Sequence, residues 1–179
     1  MGGNAHGINR RYQLECRDVI MYRHPGLTPW SSDGIDVAFD LADTRWTFDV
    51  ALRGPSGDLL LAECRRTRGA VKQEALAAFA YKVEMARKTL CIPVAGVFFA
   101  KREHQVGAVK VGEFHGIQIA ILEQGSVPPG FNLTFLRYDK QRAAKCYELI
   151  KHIPPGSVAL KTYAPKVLIR SASRKHKGE

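Results

Sequence analysis

The sequence predicts an α/β fold, a mixed central β-sheet flanked by helices, and three observations carry that prediction. Two apolar runs, residues 47–53 and 59–65, are separated by the turn signal Gly54-Pro55-Ser56-Gly57, which reads as an antiparallel hairpin. Residues 71–90 place Ala75, Phe79, Val83, Ala86 and Leu90 at spacings of three and four, the period of a long amphipathic helix. Residues 92–100 and 117–122 are nearly continuous β-branched and aromatic runs, as expected of strands buried on both faces. Strand, long helix, strand, short helix and strand then give βαβ crossovers beside the hairpin.

The remaining elements follow from the same reading. Residues 8–22, with Leu14, Val19 and Ile20 among charges, suit a modest amphipathic helix; residues 24–33 form a loop; residues 35–41 alternate as a half-buried strand. Asp36 and Asp40 fall on that strand's polar face and read as solvated carboxylates. Residues 105–115 form a short helix stopped by Gly116. Beyond Leu122 the pattern weakens: a turn at Val127-Pro128-Pro129-Gly130, a strand over 132–138, a short helix over 140–152, a strand pair over 157–170 and a disordered end over 171–179. The division is residues 1–160 as one domain with its core over about 8–125, and residues 161–179 as a basic tail.

The formal net charge is +10, from 27 Lys and Arg against 17 Asp and Glu. Such an excess points to a polyanionic partner, most simply nucleic acid. Part of it is local. Arg65, Arg66 and Arg68 cluster behind the hairpin, and the tail carries Lys161, Lys166, Arg170, Arg174, Lys175 and Lys177 against Glu179. Aromatic residues do not interleave with these cations, so no stacking platform for single strands is indicated. No apolar run approaches a membrane span, and the N-terminus has neither a secretory nor a myristoylation signal, so the expected location is cytoplasmic. Cys16, Cys64, Cys91 and Cys146 form no CxxC pair; zinc is not expected, and Cys64 and Cys91 read as small core residues. The six histidines read as surface residues with no metal spacing.

The hairpin carries the chemistry. Asp49 lies in its first run, and the second ends in Glu63-Cys64-Arg65, an acid-x-base triplet. Phosphodiester cleavage needs carboxylates converging on a divalent metal with a cation to meet charge on the phosphate. Glu63 and Arg65 share a strand face. Asp49 joins them only if it lies opposite Glu63, which requires an odd number of turn residues or a bulge.

In order, FDVALR followed by LLLAECRR, the helix VKQEALAAFAYKVEMAR and the segment VAGVFFAKREHQVGAVKVGEFHGIQIAIL resemble the PD-(D/E)xK nuclease superfamily, and within it the Mrr-like restriction endonucleases, over residues 44–122. The resemblance implies a restriction endonuclease-like core and a metal-dependent DNA endonuclease using Mg2+ or Mn2+. Asp49 and Glu63 would be its metal-binding acids, with Glu15 a supplementary ligand. The family's lysine position is Arg65 here. Arginine stays protonated and can position and stabilise anionic oxygens but cannot act as a base. Lys72 or Gln73 would assist from the following helix, and Arg66, Arg68, Arg174, Lys175 and Lys177 would contact the DNA backbone. The partner would be duplex or branched DNA ahead of RNA, and double-strand cutting would favour a homodimer. The alternative is a catalytically impaired DNA-binding or partner-binding module on the same fold.

Overall fold

The computed structural model describes residues 3–124, 130–138 and 143–151. Helix α1 (Gly3–Arg23) is followed by the short β1 (Thr28–Pro29), β2 (Ile35–Leu41), β3 (Thr44–Arg53) and β4 (Leu59–Arg65). Then come α2 (Gln73–Leu90), β5 (Val94–Ala100), α3 (Val106–Phe114), β6 (Ile117–Gln124), β7 (Gly130–Tyr138) and β8 (Ala143–Lys151). The strands form one sheet in the order β1-β3-β4-β5-β6-β7-β8, with β2 also paired to β3. The two crossovers through α2 and α3 leave β4, β5 and β6 parallel, and every other pairing is antiparallel. The expected α/β fold with a mixed sheet is the observed one.

Two cores sit on the two faces of the sheet. Strand residues alternate between faces, and β4 shows this cleanly. Leu59 and Leu61 face the core built with Leu76, Phe79 and Val83 of α2, while Leu60 and Ala62 face Tyr12, Cys16, Val19 and Ile20 of α1. β5 is buried at every position but Ala95, as a central parallel strand must be. α3 stops where expected, with Gly116 taking the left-handed turn at φ 62°.

Three expectations change. The helix expected over 140–152 is replaced, where the structure describes it, by a strand: Ala143–Lys151 pairs along its length with β7. Its Ala, Lys and Glu content favours a helix, but the open edge of β7 supplies hydrogen-bond partners that propensity cannot outweigh. The N-terminal helix begins at Gly3, five residues before the apolar pattern starts. The loop over 24–33 holds the two-residue strand β1 against the end of β3. The strand pair over 157–170 and the tail 161–179, with Arg174, Lys175 and Lys177, lie outside the described residues.

Candidate active site

The hairpin loop decides where the two acids fall. Arg53 pairs with Leu59, so five residues, Gly54–Asp58 in number order, make the turn, and the register continues as Leu52↔Leu60, Ala51↔Leu61 and Val50↔Ala62. The ladder stops there. One further step along the same register meets Asp49 and Glu63. An odd loop is what an opposed pair requires.

Asp49 sits at a break in regularity. Phe48 packs on the α2 face against Phe79, with ring centroids 6.5 Å apart, yet Val50 belongs to the α1 core. Residues i and i+2 of a regular strand share a face, so alternation shifts at Asp49. The partner strand shows the same interruption. Ile35 pairs with Val50 and Val37 with Phe48, while Asp36 between them adopts φ 50° and leaves the ladder. Freed from regular pairing, the Asp49 carboxylate takes the role of a ladder carbonyl. Its Oδ2 accepts the backbone N–H of Cys64 at 2.6 Å, and its Oδ1 accepts Nε2 of Gln13 from α1 at 3.0 Å.

Glu63 is 5% exposed at the end of β4. Arg65 Nη2 lies 2.6 Å from its Oε1, and Lys82 Nζ of α2 lies 3.4 Å from its Oε2. Burial, and then the nearby Asp49 charge, push the Glu63 carboxyl above its ordinary pKa, and Lys82 and Arg65 pull the other way. Glu63 thus feels the Asp49 charge, with Asp49 held from α1 and Glu63 from α2. Arg65 is half exposed. Lys82 is more enclosed. It also donates to the Thr47 carbonyl at 3.2 Å and lies 5.8 Å from the Phe48 ring centroid.

The other named candidates lie further out. Glu15 forms an i,i+4 pair with Arg11 at 3.3 Å, and the charges acting on Glu63 do not include it. The α1 side chain that reaches Asp49 is Gln13. Arg66 donates to Asn9 of α1 at 3.3 Å, on the same connection as exposed Arg68. Lys72 is the exposed N-cap residue of α2, and Gln73 turns its Oε1 toward Gly107 of α3. Lys101 joins this end of the sheet: its N–H bonds the Arg65 carbonyl and its Nζ lies 5.1 Å from the Tyr12 ring centroid.

Several side chains depart from their sequence reading. Asp40 is solvated as expected, but Asp36 accepts Nε2 of Gln13 at 2.8 Å and pairs with Arg10 at 3.7 Å. Cys91 is exposed, serving as the left-handed C-cap of α2 at φ 52°. Cys64 is packed beside Cys16, and burial pushes its thiol well up. His104 is not a surface histidine. It is 8% exposed, packed edge-on to Phe98, and neither ring nitrogen has a hydrogen-bond partner among the described residues.

Lys82 and Gln13 were legible only in hindsight of a face. Lys82 is three residues after Phe79 and four before Ala86, at the margin of the α2 stripe. Gln13 sits on the stripe of Cys16 and Ile20. A polar side chain on a buried stripe needs a partner, and that is the available signal.

The donor chemistry fits a hard, oxygen-seeking cation. Two carboxylates, with the adjoining Cys64 packed into the α1 core beside Cys16, would suit Mg2+ or Mn2+, which bind through one or two carboxylates and complete their shells with water and phosphate. Among the described residues no group of three or more His, Cys, Asp or Glu is placed to hold an ion. Nor, among them, is any helix long and apolar enough to cross a membrane.

No family model matches the sequence, and no curated protein matches it. Solved structures do match. A crystallised protein of unknown function, AF1548, aligns with a TM-score of 0.51 and 13% identity over 63% of this chain and 58% of its own. An EndoMS complex with double-stranded DNA gives 0.45 and 19% over 61% of this chain and 44% of that one. A repair endonuclease from Pyrococcus abyssi gives 0.45 and 18% over 60% and 45%. The chain spans about half the length of these proteins. At such identities the likeness to AF1548 is one of fold.

Proposed function

We propose that the chain is a metal-dependent DNA endonuclease of the PD-(D/E)xK type, similar to the Mrr-like enzymes, acting on duplex or branched DNA in preference to RNA. The observation that carries this reading is the five-residue turn, whose register extended one step past Val50↔Ala62 would set Asp49 opposite Glu63, with two cations, Arg65 and Lys82, on the second acid. Asp49 and Glu63 would hold Mg2+ or Mn2+. When bound, the ion supplies Lewis-acid polarisation of the scissile phosphate and an acidified water. Arg65 reaches Glu63 from a half-exposed position, so its guanidinium can turn to a phosphate oxygen and meet the charge that develops there. Lys82 adds an amine where the strand offers arginine in place of the family's lysine. Arg66, Arg68 and Lys72 lie on the connection beyond β4 and would contact the flanking backbone, with Lys101 at the neighbouring strand end. One such site cuts one strand, so double-strand cutting would require a homodimer.

One observation favours the second reading, a binding module with impaired catalysis: both Glu63 oxygens are engaged by cations. Supercoiled plasmid incubated with Mg2+, with Mn2+ and with chelator separates the two. The nuclease reading expects nicked or linear product only with metal. Binding without cleavage under every metal condition, on duplex and branched substrates alike, would leave the module.

A further inference from the structure

We infer that Gln13 is the positioning residue of this site: a neutral amide that fixes Asp49 and keeps the metal shell short of protein ligands, so that the ion binds tightly only together with a phosphodiester. The inference rests on the proposed metal site. The Gln13 side chain is nine-tenths buried. Its single Nε2 donates to Asp49 Oδ1 at 3.0 Å and to Asp36 Oδ1 at 2.8 Å, which uses both amide hydrogens. The orientation of the amide is set by chemistry, because the flipped form would place its oxygen against two carboxylates.

Three consequences follow from this bridge. Each Asp49 oxygen already accepts one hydrogen bond, from Gln13 or from the Cys64 N–H, so the carboxylate is fixed before any ligand arrives. Asp36 is tied to the same amide nitrogen, with Arg10 at 3.7 Å on its other oxygen. What remains for the ion is Asp49 and Glu63. A hard divalent cation held by two carboxylates has most of its shell to fill, and a phosphate oxygen is the ligand that such ions favour. Metal and nucleic acid must then strengthen each other's binding by the same factor.

The experiment is a Mn2+ titration of the full chain, followed by the electron paramagnetic resonance of free Mn2+, with and without a phosphorothioate duplex, on wild type, Gln13→Glu and Gln13→Leu. Thermal melting is recorded in parallel. Wild type is expected to bind Mn2+ at least about tenfold more tightly with the duplex present. Gln13→Glu sets a carboxylate between Asp36 and Asp49, and should gain about tenfold or more in metal affinity without DNA while losing most of the coupling. Gln13→Leu should melt near wild type but bind metal about tenfold or more weakly with DNA, the usual effect of losing a group that orients a ligand. A Gln13→Glu variant that folds and gains no affinity, with Gln13→Leu matching wild type, overturns the inference even if plasmid is cleaved. If wild type binds no Mn2+ under either condition and Gln13→Glu does, Gln13 is the determinant of the site and the nuclease reading falls instead.

Discussion

Two buried polar groups stand at the ends of neighbouring parallel strands, and their surroundings could hardly differ more. Glu63 lies two residues before the end of β4 and pairs in register with Phe98 of β5; His104 lies four residues past the end of β5 and packs on the ring of the same Phe98. Glu63 is enclosed by Arg65, Lys82 and the Asp49 charge, with half-exposed Arg65 opening toward solvent. His104 has an aromatic edge and no hydrogen-bond partner among the described residues. A buried charge surrounded by exchangeable charged partners is an arrangement for binding. A buried imidazole without partners is held neutral and serves packing. Perturbation marks both groups, and only the company each keeps tells them apart.

The largest expected effect falls on the first region. Asp49→Asn and Glu63→Gln should each lower metal-dependent plasmid nicking by about 10³-fold or more, as loss of a central catalytic group does. Arg65→Ala and Lys82→Ala should each cost about 10²-fold, and Arg65→Lys should retain activity, since it keeps a cation that can also assist the water. Because both cations contact one carboxylate, the double variant should fall short of the product of the single effects. Full additivity would mean that they act separately.

His104 makes the contrasting prediction, on stability. Burial lowers its pKa from 6.5 to about 4. The unfolded chain therefore takes up a proton between these values and the folded chain does not, so stability is complete above pH 6.5 and is lost as pH falls toward 4. The interval corresponds to roughly 3 kcal/mol. Urea unfolding from pH 8 to 4 should show that loss, and His104→Leu should flatten the curve with cleavage at pH 8 little changed. A wild-type curve with no slope in this window would show that His104 finds a partner.

The two regions can also be compared by the sign of a stability change. The folded pKa of Glu63 is raised, so its ionisation opposes folding at pH above that value, and the penalty vanishes below the unfolded pKa of 4.5. Glu63→Gln should melt higher than wild type at pH 8, and the gain should shrink toward pH 4.5. A lower melting temperature at pH 8 would mean that the pairs with Arg65 and Lys82 outweigh burial. Smallest of all, neutralising Arg174, Lys175 and Lys177 should weaken DNA binding alike across sequences and reduce the salt slope by about 0.9 per lost phosphate contact.

Much of this was legible in the sequence, for identifiable reasons. Elements whose pattern matches their period, such as the Phe79-Val83-Ala86 stripe and the run through Val97-Phe98-Phe99, came out in their places. The turn signal located the hairpin, and the parity of its loop was the right question to ask. What one-dimensional pattern does not carry is a local break in periodicity. The shift at Asp49 and the left-handed Asp36 opposite it arise from the pairing of two strands and a helix, and they decide which α1 side chain faces the acids. Glu15 was the choice the resemblance offered; Gln13 is the one on the buried stripe. β8 was missed because a helix-favouring composition was judged without the strand edge that it joins.

The central claim is that one divalent ion sits between Asp49 and Glu63. Paramagnetic broadening by substoichiometric Mn2+ in the amide spectrum of the full chain tests it most directly. The account predicts early loss of the Asp49, Glu63 and Cys64 backbone signals and of the Gln13 side-chain amide, with those of Glu113 and Glu74 retained, and no broadening in Asp49→Asn. Broadening centred on surface carboxylates, and unchanged in Asp49→Asn, would contradict it.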